Sequence, residues 1–386
     1  DGGTRSAYSR LSQYSMSFAN SMYAMDNLVH SFSLDLNSRL SEKLSNQLLA
    51  TFSKLDDVRF TNSSEFPFID ILDGTNTTGN YMALGYELFT WNNAVHNTIW
   101  NIKDDATYYL GEHKITGGLS FEHQIADNQY MRNGTGYYRY SSVDDFISGA
   151  APEIVCLTYG YNGESSPAAR VQFNKGGIYA QDDWQVTDKL KVTYGIRFDG
   201  LFFNNSDLMT NQAIYNLDYS GRHIDTGKWP SSNLIISPRV GFTYDVFGDK
   251  TLKVRGGSGL FSGRLPLVFF TNMPTNGGMV QYQAQINAAS AQKNKFSMNE
   301  FAGGLVTDAN GKATTAALYD KLVSLGYPST VKPEDGTIPS SISAVDPDFK
   351  MPQVWKTSLA VDYIIPVSFP LSVTVEGIFN KTINGV

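Results

Sequence analysis

The feature that most constrains this chain is strict alternation of apolar and polar residues, recurring in pairs joined by brief polar turns. In residues 236–246, Ile236, Pro238, Val240, Phe242, Tyr244 and Val246 share one side, and Ser237, Arg239, Gly241, Thr243 and Asp245 share the other. The turn Gly248-Asp249-Lys250 leads to residues 252–260, where Leu252, Val254, Gly256 and Leu260 oppose Lys253, Arg255 and Gly257. A period of two is incompatible with an amphipathic helix and places successive side chains on opposite faces of a strand. Residues 178–186 pair in the same way with 190–198, where Leu190, Val192, Tyr194, Ile196 and Phe198 oppose Lys191, Thr193, Gly195 and Arg197. Further pairs are 355–363 with 371–379, 32–40 with 46–54, and 97–105 with 114–123. Residues 8–23 are expected to supply at least one more strand, for about eleven or twelve in all. Each is about nine to eleven residues long, the length a tilted strand needs to cross a bilayer.

The connections between these hairpins are of another kind. They run over about 55–86, 126–170, 201–234 and 261–352 and are rich in Asn, Ser, Gly and Tyr, with one short helix expected over 314–325. Tight turns alternating with long loops give a sheet with one trim rim and one elaborate rim, the pattern of outer-membrane barrels with external loops. The polar strand face mixes Ser, Thr, Gly and Gln with a few charges: Lys191, Arg197, Asp199, Arg239, Asp245, Lys253 and Arg255. In a barrel these point into the lumen, where strand or plug packing is their commoner role and substrate contact the rarer one. Aromatic residues gather near strand ends, at Tyr108, Tyr109, Tyr179, Trp184, Phe202, Phe203, Phe247, Trp355 and Tyr363, as expected of rings in a headgroup region. The fold class expected is all-β: a transmembrane antiparallel β-barrel, of which this chain forms roughly half.

Composition narrows the function. With 30 Lys+Arg against 37 Asp+Glu, the net charge of −7 and the lack of a basic run argue against nucleic-acid binding. A single cysteine excludes a disulfide framework and a Cys-based zinc site. His30, His96, His113, His123 and His223 have no partner at metal-ligand spacing. In Asp104-Asp105 and Asp182-Asp183 the neighbours point to opposite faces of a strand and cannot act as facing pairs. Asp144-Asp145 lies in a loop, where binding an external cation is the less common outcome. The glycines from Gly256 to Gly263 begin inside a strand with no helix after them, unlike a phosphate-cradling loop. The chain is accordingly expected to be no enzyme and to carry no cofactor or metal.

Several segments carry a resemblance. Residues 177–199, Gly177-Ile-Tyr-Ala-Gln-Asp-Asp-Trp-Gln-Val-Thr-Asp-Lys-Leu-Lys-Val-Thr-Tyr-Gly-Ile-Arg-Phe-Asp199, closely resemble the recurring barrel hairpin of TonB-dependent outer-membrane transporters. Residues 237–249 resemble the next hairpin of those barrels. Residues 64–72, 254–264 and the run Asp346-Pro-Asp-Phe-Lys-Met-Pro-Gln-Val-Trp355 resemble the Oar-like branch. The resemblance implies a barrel of about 22 strands around an N-terminal plug. It also implies energised uptake of a nutrient across the outer membrane of a Gram-negative bacterium. Partners so implied are outer-membrane lipid, TonB acting through the plug, and a surface lipoprotein.

The sequence opens at Asp1-Gly2-Gly3 without a start Met, and its last strand runs close to Val386, so a section of a longer chain is expected. An open half-barrel would expose two unpaired sheet edges to lipid, at several kcal/mol for each unsatisfied group. Other readings remain at this stage. They are a structural or adhesive barrel, a protein-export partner, a self-contained porin-like channel of about twelve strands, and a soluble β-sandwich. The small channel requires residues 8–23 to pair with 371–379. The substrate and the direction of movement stay open.

Overall fold

The computed structural model describes residues 12–75, 79–263, 267–339 and 341–385, among which sixteen strands form two sheets. In chain order they are β1 (Met16–Ser17), β2 (Ala24–Arg39), β3 (Leu44–Phe60), β4 (Phe68–Leu72), β5 (Asn80–Leu84), β6 (Ala94–Leu110), β7 (His113–Gln129) and β8 (Tyr137–Tyr140). They continue with β9 (Ile154–Gly160), β10 (Ala168–Thr187), β11 (Leu190–Phe203), β12 (Leu234–Asp245), β13 (Leu252–Ser262), β14 (Gln281–Ile286), β15 (Gln353–Ile365) and β16 (Leu371–Asn384). The larger sheet is a ten-stranded up-and-down meander, β2-β3-β6-β7-β10-β11-β12-β13-β15-β16, in which every neighbouring pair is antiparallel. The sheet is not closed, and β2 and β16 are its edges.

All five expected hairpins form, but two expectations about the strands fail. First, the strands are longer than nine to eleven residues: β2 has 16 and β10 has 20. The ladder runs on past the alternating stretch because every backbone N–H and C=O still needs a partner, so residues 168–176 pair with 121–129. Second, residues 8–23 add no strand to the large sheet, leaving ten rather than eleven or twelve. Residues 8–11 lie outside the described residues. Met16–Ser17 instead pairs parallel with Met82 and Ala83, and Ala19–Ser21 forms a 3-10 turn. The pairing of 8–23 with 371–379 that a small closed channel requires is not formed among the described residues.

Register explains the two faces. Phe32, Phe52 and Trp100 lie in one cross-strand row, with the Phe52 and Trp100 rings 4.4 Å apart. Leu119, Ile178, Ile196 and Val240 continue this apolar face and are all exposed, as is Val375 at 67%. Such a wide exposed apolar band across consecutive strands suits hydrocarbon rather than water.

The long connections do not stay irregular. They build the second sheet, β1-β5-β4-β8-β9-β14, which includes parallel pairings of β1 with β5 and of β4 with β8. Around it lie α1 (Val143–Ser148), α2 (Gln212–Tyr215), α3 (Val268–Thr275), α4 (Ala288–Lys293) and α5 (Thr315–Ser324). The expected helix over 314–325 is α5. The Thr314 hydroxyl accepts from the Ala317 N–H as its cap, and Leu318 and Leu322 are buried. One face of the second sheet contributes Ile69, Ile71, Tyr138, Tyr140, Val155, Leu157, Ala284 and Ile286 to a core that α5 closes. A smaller core of Val171, Phe173, Leu201, Trp229, Phe270 and Met273 fastens α3 to the extended ends of β10 and β11. Phe203, expected at a membrane interface, packs here against Trp229 and Phe270.

Candidate functional site

The seven charged residues singled out in the sequence share the polar face of the large sheet, and most are paired there. The Arg197 guanidinium donates to Asp199 from Nε at 2.8 Å and from Nη2 at 2.6 Å, and reaches Ser120 Oγ at 2.7 Å. Asp199 is almost wholly buried, and this bidentate contact satisfies both of its oxygens. Lys191 stands 3.7 Å from Asp183, which also accepts from the Thr193 hydroxyl. Arg239 donates to the Gln181 side chain at 2.6 Å. Arg255 lies 3.0 Å from Asp362 and 3.7 Å from Glu376, with Lys253 in register between Asp245 and Asp362. Asp245 itself caps a turn, accepting from the N–H groups of Gly248 and Lys250.

Sequence reasoning missed the centre of this ladder. Lys103 donates to Asp105 at 2.6 Å, and the Tyr179 hydroxyl donates to the same carboxylate. The Tyr179 ring lies 4.9 Å from the Arg197 guanidinium carbon and 5.6 Å from Lys103 Nζ. Tyr179 was expected in a headgroup girdle, but the register with Arg197 places it on the polar face. The site needs two gaps. A Cβ at Gly177 would meet Arg197, Asp199 and Ser120, and one at Gly118 would meet Asp105 and Tyr179. Asp104 and Asp182 do point the other way, as alternation demands. Asn46 donates to Asp104 at 2.6 Å, while Asp182 takes the Tyr194 hydroxyl and lies 2.6 Å from His113 Nδ1.

A second site lies in the loop assembly. The face of the second sheet turned away from its core borders a cavity of about 610 Å³. Three alternate residues of β14, Gln281, Gln283 and Gln285, line it, opposite Gly160, Thr158 and Cys156 of β9. Tyr161, Tyr282 and Tyr327 supply aromatic wall, and Arg132, Arg139 and Lys293 supply charge. No carboxylate lines the cavity among the described residues, although the chain as a whole is acidic. Arg139 is neutralised from below: its Nε and Nη2 each lie 3.1 Å from Oδ2 of the fully buried Asp70, which also accepts from the Tyr137 hydroxyl at 2.7 Å. Arg132 and Lys293 form no ion pair among the described residues. Burial pushes the Cys156 thiol up to about 12, and burial together with neighbouring Tyr282 raises the Tyr161 phenol to about 12. Burial and neighbouring Tyr327 also push Tyr282 up, and burial does so for Tyr327, so the aromatic wall is neutral phenol. The one sequence signal for this wall is the alternation Gln281-Tyr282-Gln283-Ala284-Gln285 inside a segment otherwise read as loop.

Residues 4–377 match the family model described as the outer membrane beta barrel domain. No curated protein matches the chain by sequence. Among solved structures, the outer membrane transporter YddB from Escherichia coli is 13% identical, with 90% of this chain and 33% of that one covered at a TM-score of 0.48. The ferric yersiniabactin uptake receptor FyuA from Yersinia pestis is 7% identical, with 93% and 37% covered at 0.41. The siderophore receptor PiuA from Acinetobacter baumannii is 9% identical, with 93% and 40% covered at 0.40. The chain thus spans between a third and two fifths of the length of these structures. The assignment rests on the family match, which takes in nearly the whole chain, and on the alternating register of the ten strands. This chain belongs to the outer membrane beta barrel domain family, with its place in the outer membrane of a Gram-negative bacterium.

Proposed function

We propose that the chain is part of the barrel of a TonB-dependent transporter of the Oar-like branch, importing a nutrient across the outer membrane. The observation that carries this reading is the loop assembly. Three of the four long connections fold onto a shared core, and those at 126–170 and 261–352 hold a walled polar cavity, which a structural barrel has no need to build. Binding residues concentrate on loops held by a rigid scaffold, and here the scaffold is the ten-stranded sheet. The hairpin at 177–199 supplies the resemblance to TonB-dependent barrels.

In this reading the tight-turn rim faces the periplasm and the long connections face outward. The polar ladder from Lys103 to Asp199 faces the lumen and forms the wall on which a plug rests. Energy reaches the plug through TonB, a surface lipoprotein is a further partner, and the barrel section performs no bond chemistry. The test is growth or uptake on candidate nutrients by cells carrying or lacking the full gene, each with and without TonB. Uptake that needs both genes supports the proposal. Uptake that persists without TonB removes it and leaves a passive channel, and a surface-attachment defect without any uptake defect leaves an adhesive barrel.

A further inference from the structure

The cavity in the loop assembly carries an inference about cargo that deepens the transport reading. Its volume of about 610 Å³ falls within the roughly 300–1,000 Å³ of small-molecule sites. Its lining is selective in what it lacks. A peptide brings an ammonium terminus that calls for a carboxylate, and side chains that call for apolar subsites. This cavity has no lining carboxylate among the described residues, and its apolar residues, such as Leu88, Ile154 and Ile338, stand among a larger polar surface. What it offers are side-chain amides, each presenting a donor and an acceptor together, as paired hydroxyls do. Gln281, Gln283 and Gln285 repeat this group along one strand at intervals of about 7 Å; Gln281 is buried with its Nε2 donating to the Tyr130 carbonyl, and Gln283 and Gln285 are exposed, a spacing suited to a solute built of repeating units. Neutral tyrosine rings adjoin the row, and two cations remain unneutralised, Arg132 and Lys293.

We propose that this cavity binds an acidic oligosaccharide, its carboxylates held by Arg132 and Lys293 and its hydroxyls by the exposed amides of Gln283 and Gln285. The repeating hydroxylated units select the amides, and the negative charge is drawn to the two cations of a cavity that no carboxylate lines among the described residues. Both cations are exposed and lie outside the packed core, so replacing them leaves the fold intact.

The test uses the purified full-length protein in detergent, titrated calorimetrically with tetragalacturonate, with its uncharged methyl ester and with a tetraglutamate peptide. Tetragalacturonate is expected to bind, with the ester at least about tenfold weaker and the peptide weaker still. Arg132→Gln and Lys293→Gln are each expected to lower affinity about tenfold, the usual scale for a hydrogen bond between ions. Lys312→Gln, away from the cavity, is expected to change nothing. Failure of tetragalacturonate to bind overturns the proposal, as does equal binding of the ester or indifference to both cavity variants. Binding of tetraglutamate as tight as that of the sugar also overturns it, in favour of an acidic peptide. The transport reading is tested separately: a protein that binds the sugar but does not import it in energised cells keeps the site and loses the transport. TonB-dependent uptake of another solute, with no sugar binding, does the reverse.

Discussion

At the scale of single residues, the loop assembly depends on a buried charge. Asp70 is fully buried and pairs with Arg139, so Arg139→Met removes one member of an ion pair from the interior. Breaking such a pair by removing one partner costs about 3 kcal/mol. Arg139→Met is expected to speed proteolytic nicking between residues 61 and 93 while the heat-modifiable mobility of the barrel on gels is unchanged. Cys156 allows a second check. Its thiol is pushed from 9.0 up to about 12 by burial, so the folded protein holds a proton that the unfolded chain releases. The same holds for Tyr161, raised from 10.0 to about 12. Both groups therefore contribute stability that is intact below the ordinary values and is lost as pH climbs toward about 12. Maleimide labelling of Cys156 at neutral pH is expected only after the loop assembly opens, and tyrosinate absorbance is expected to rise in the same alkaline range. Rapid labelling of the native protein would show that the thiol is not buried.

At the scale of elements, the two faces of the strands make different demands. Leu119 lies on the apolar face of β7, and Leu119→Arg is expected to cost about 2–4 kcal/mol in urea titrations in lipid vesicles, the penalty of a cation at mid-membrane depth. Gly177 lies on the polar face of β10 beneath Arg197 and Asp199, where Gly177→Leu overpacks a filled site at about 1–3 kcal/mol. Placing Leu at the exposed neighbour Ile178 is expected to be nearly neutral. If Leu119→Arg were tolerated and Ile178→Leu damaging, the face assignment would be reversed. The same alternation explains why Asp104 and Asp105, adjacent in sequence, serve separate neighbourhoods, one with Asn46 and one with Lys103 and Tyr179.

At the scale of the whole molecule, the ten-stranded sheet ends in two edges, β2 and β16, that carry unpaired backbone groups. Hydrocarbon tolerates no such edge, so in the membrane both strands are expected to find further strand partners. Amide hydrogen exchange of the reconstituted full-length protein is expected to find the outer edges of β2 and β16 as protected as β10, whose two neighbours are present here. Fast exchange along either edge would mean that the sheet ends there. The loop assembly is a separate cooperative unit with its own core, and its amides are expected to exchange before those of the barrel.

Much of the large sheet was legible in the sequence, because a strand half in lipid and half against a polar interior writes its environment as a period of two. Lys191, Arg197, Asp199, Arg239, Asp245, Lys253 and Arg255 all lie on the face that alternation assigned them. The partners they meet were not legible, since Asp362 and Glu376 reach Arg255 through cross-strand register more than a hundred residues away. Tyr179 was misplaced because an aromatic ring suits a headgroup and a cation's neighbour equally well, and only the register with Arg197 decides between them. The loop assembly was the least legible part. Its strands are short and come from distant connections, and β4 lies beside β8 across more than sixty residues, so no local period announces them. The sequence by itself determined the five hairpins of the large sheet and the polar face on which its seven charged residues lie, because a period of two is written locally. Only the tertiary structure decided that three polar connections share one core and border a cavity that no carboxylate lines among the described residues, because long-range packing leaves no local pattern in the chain.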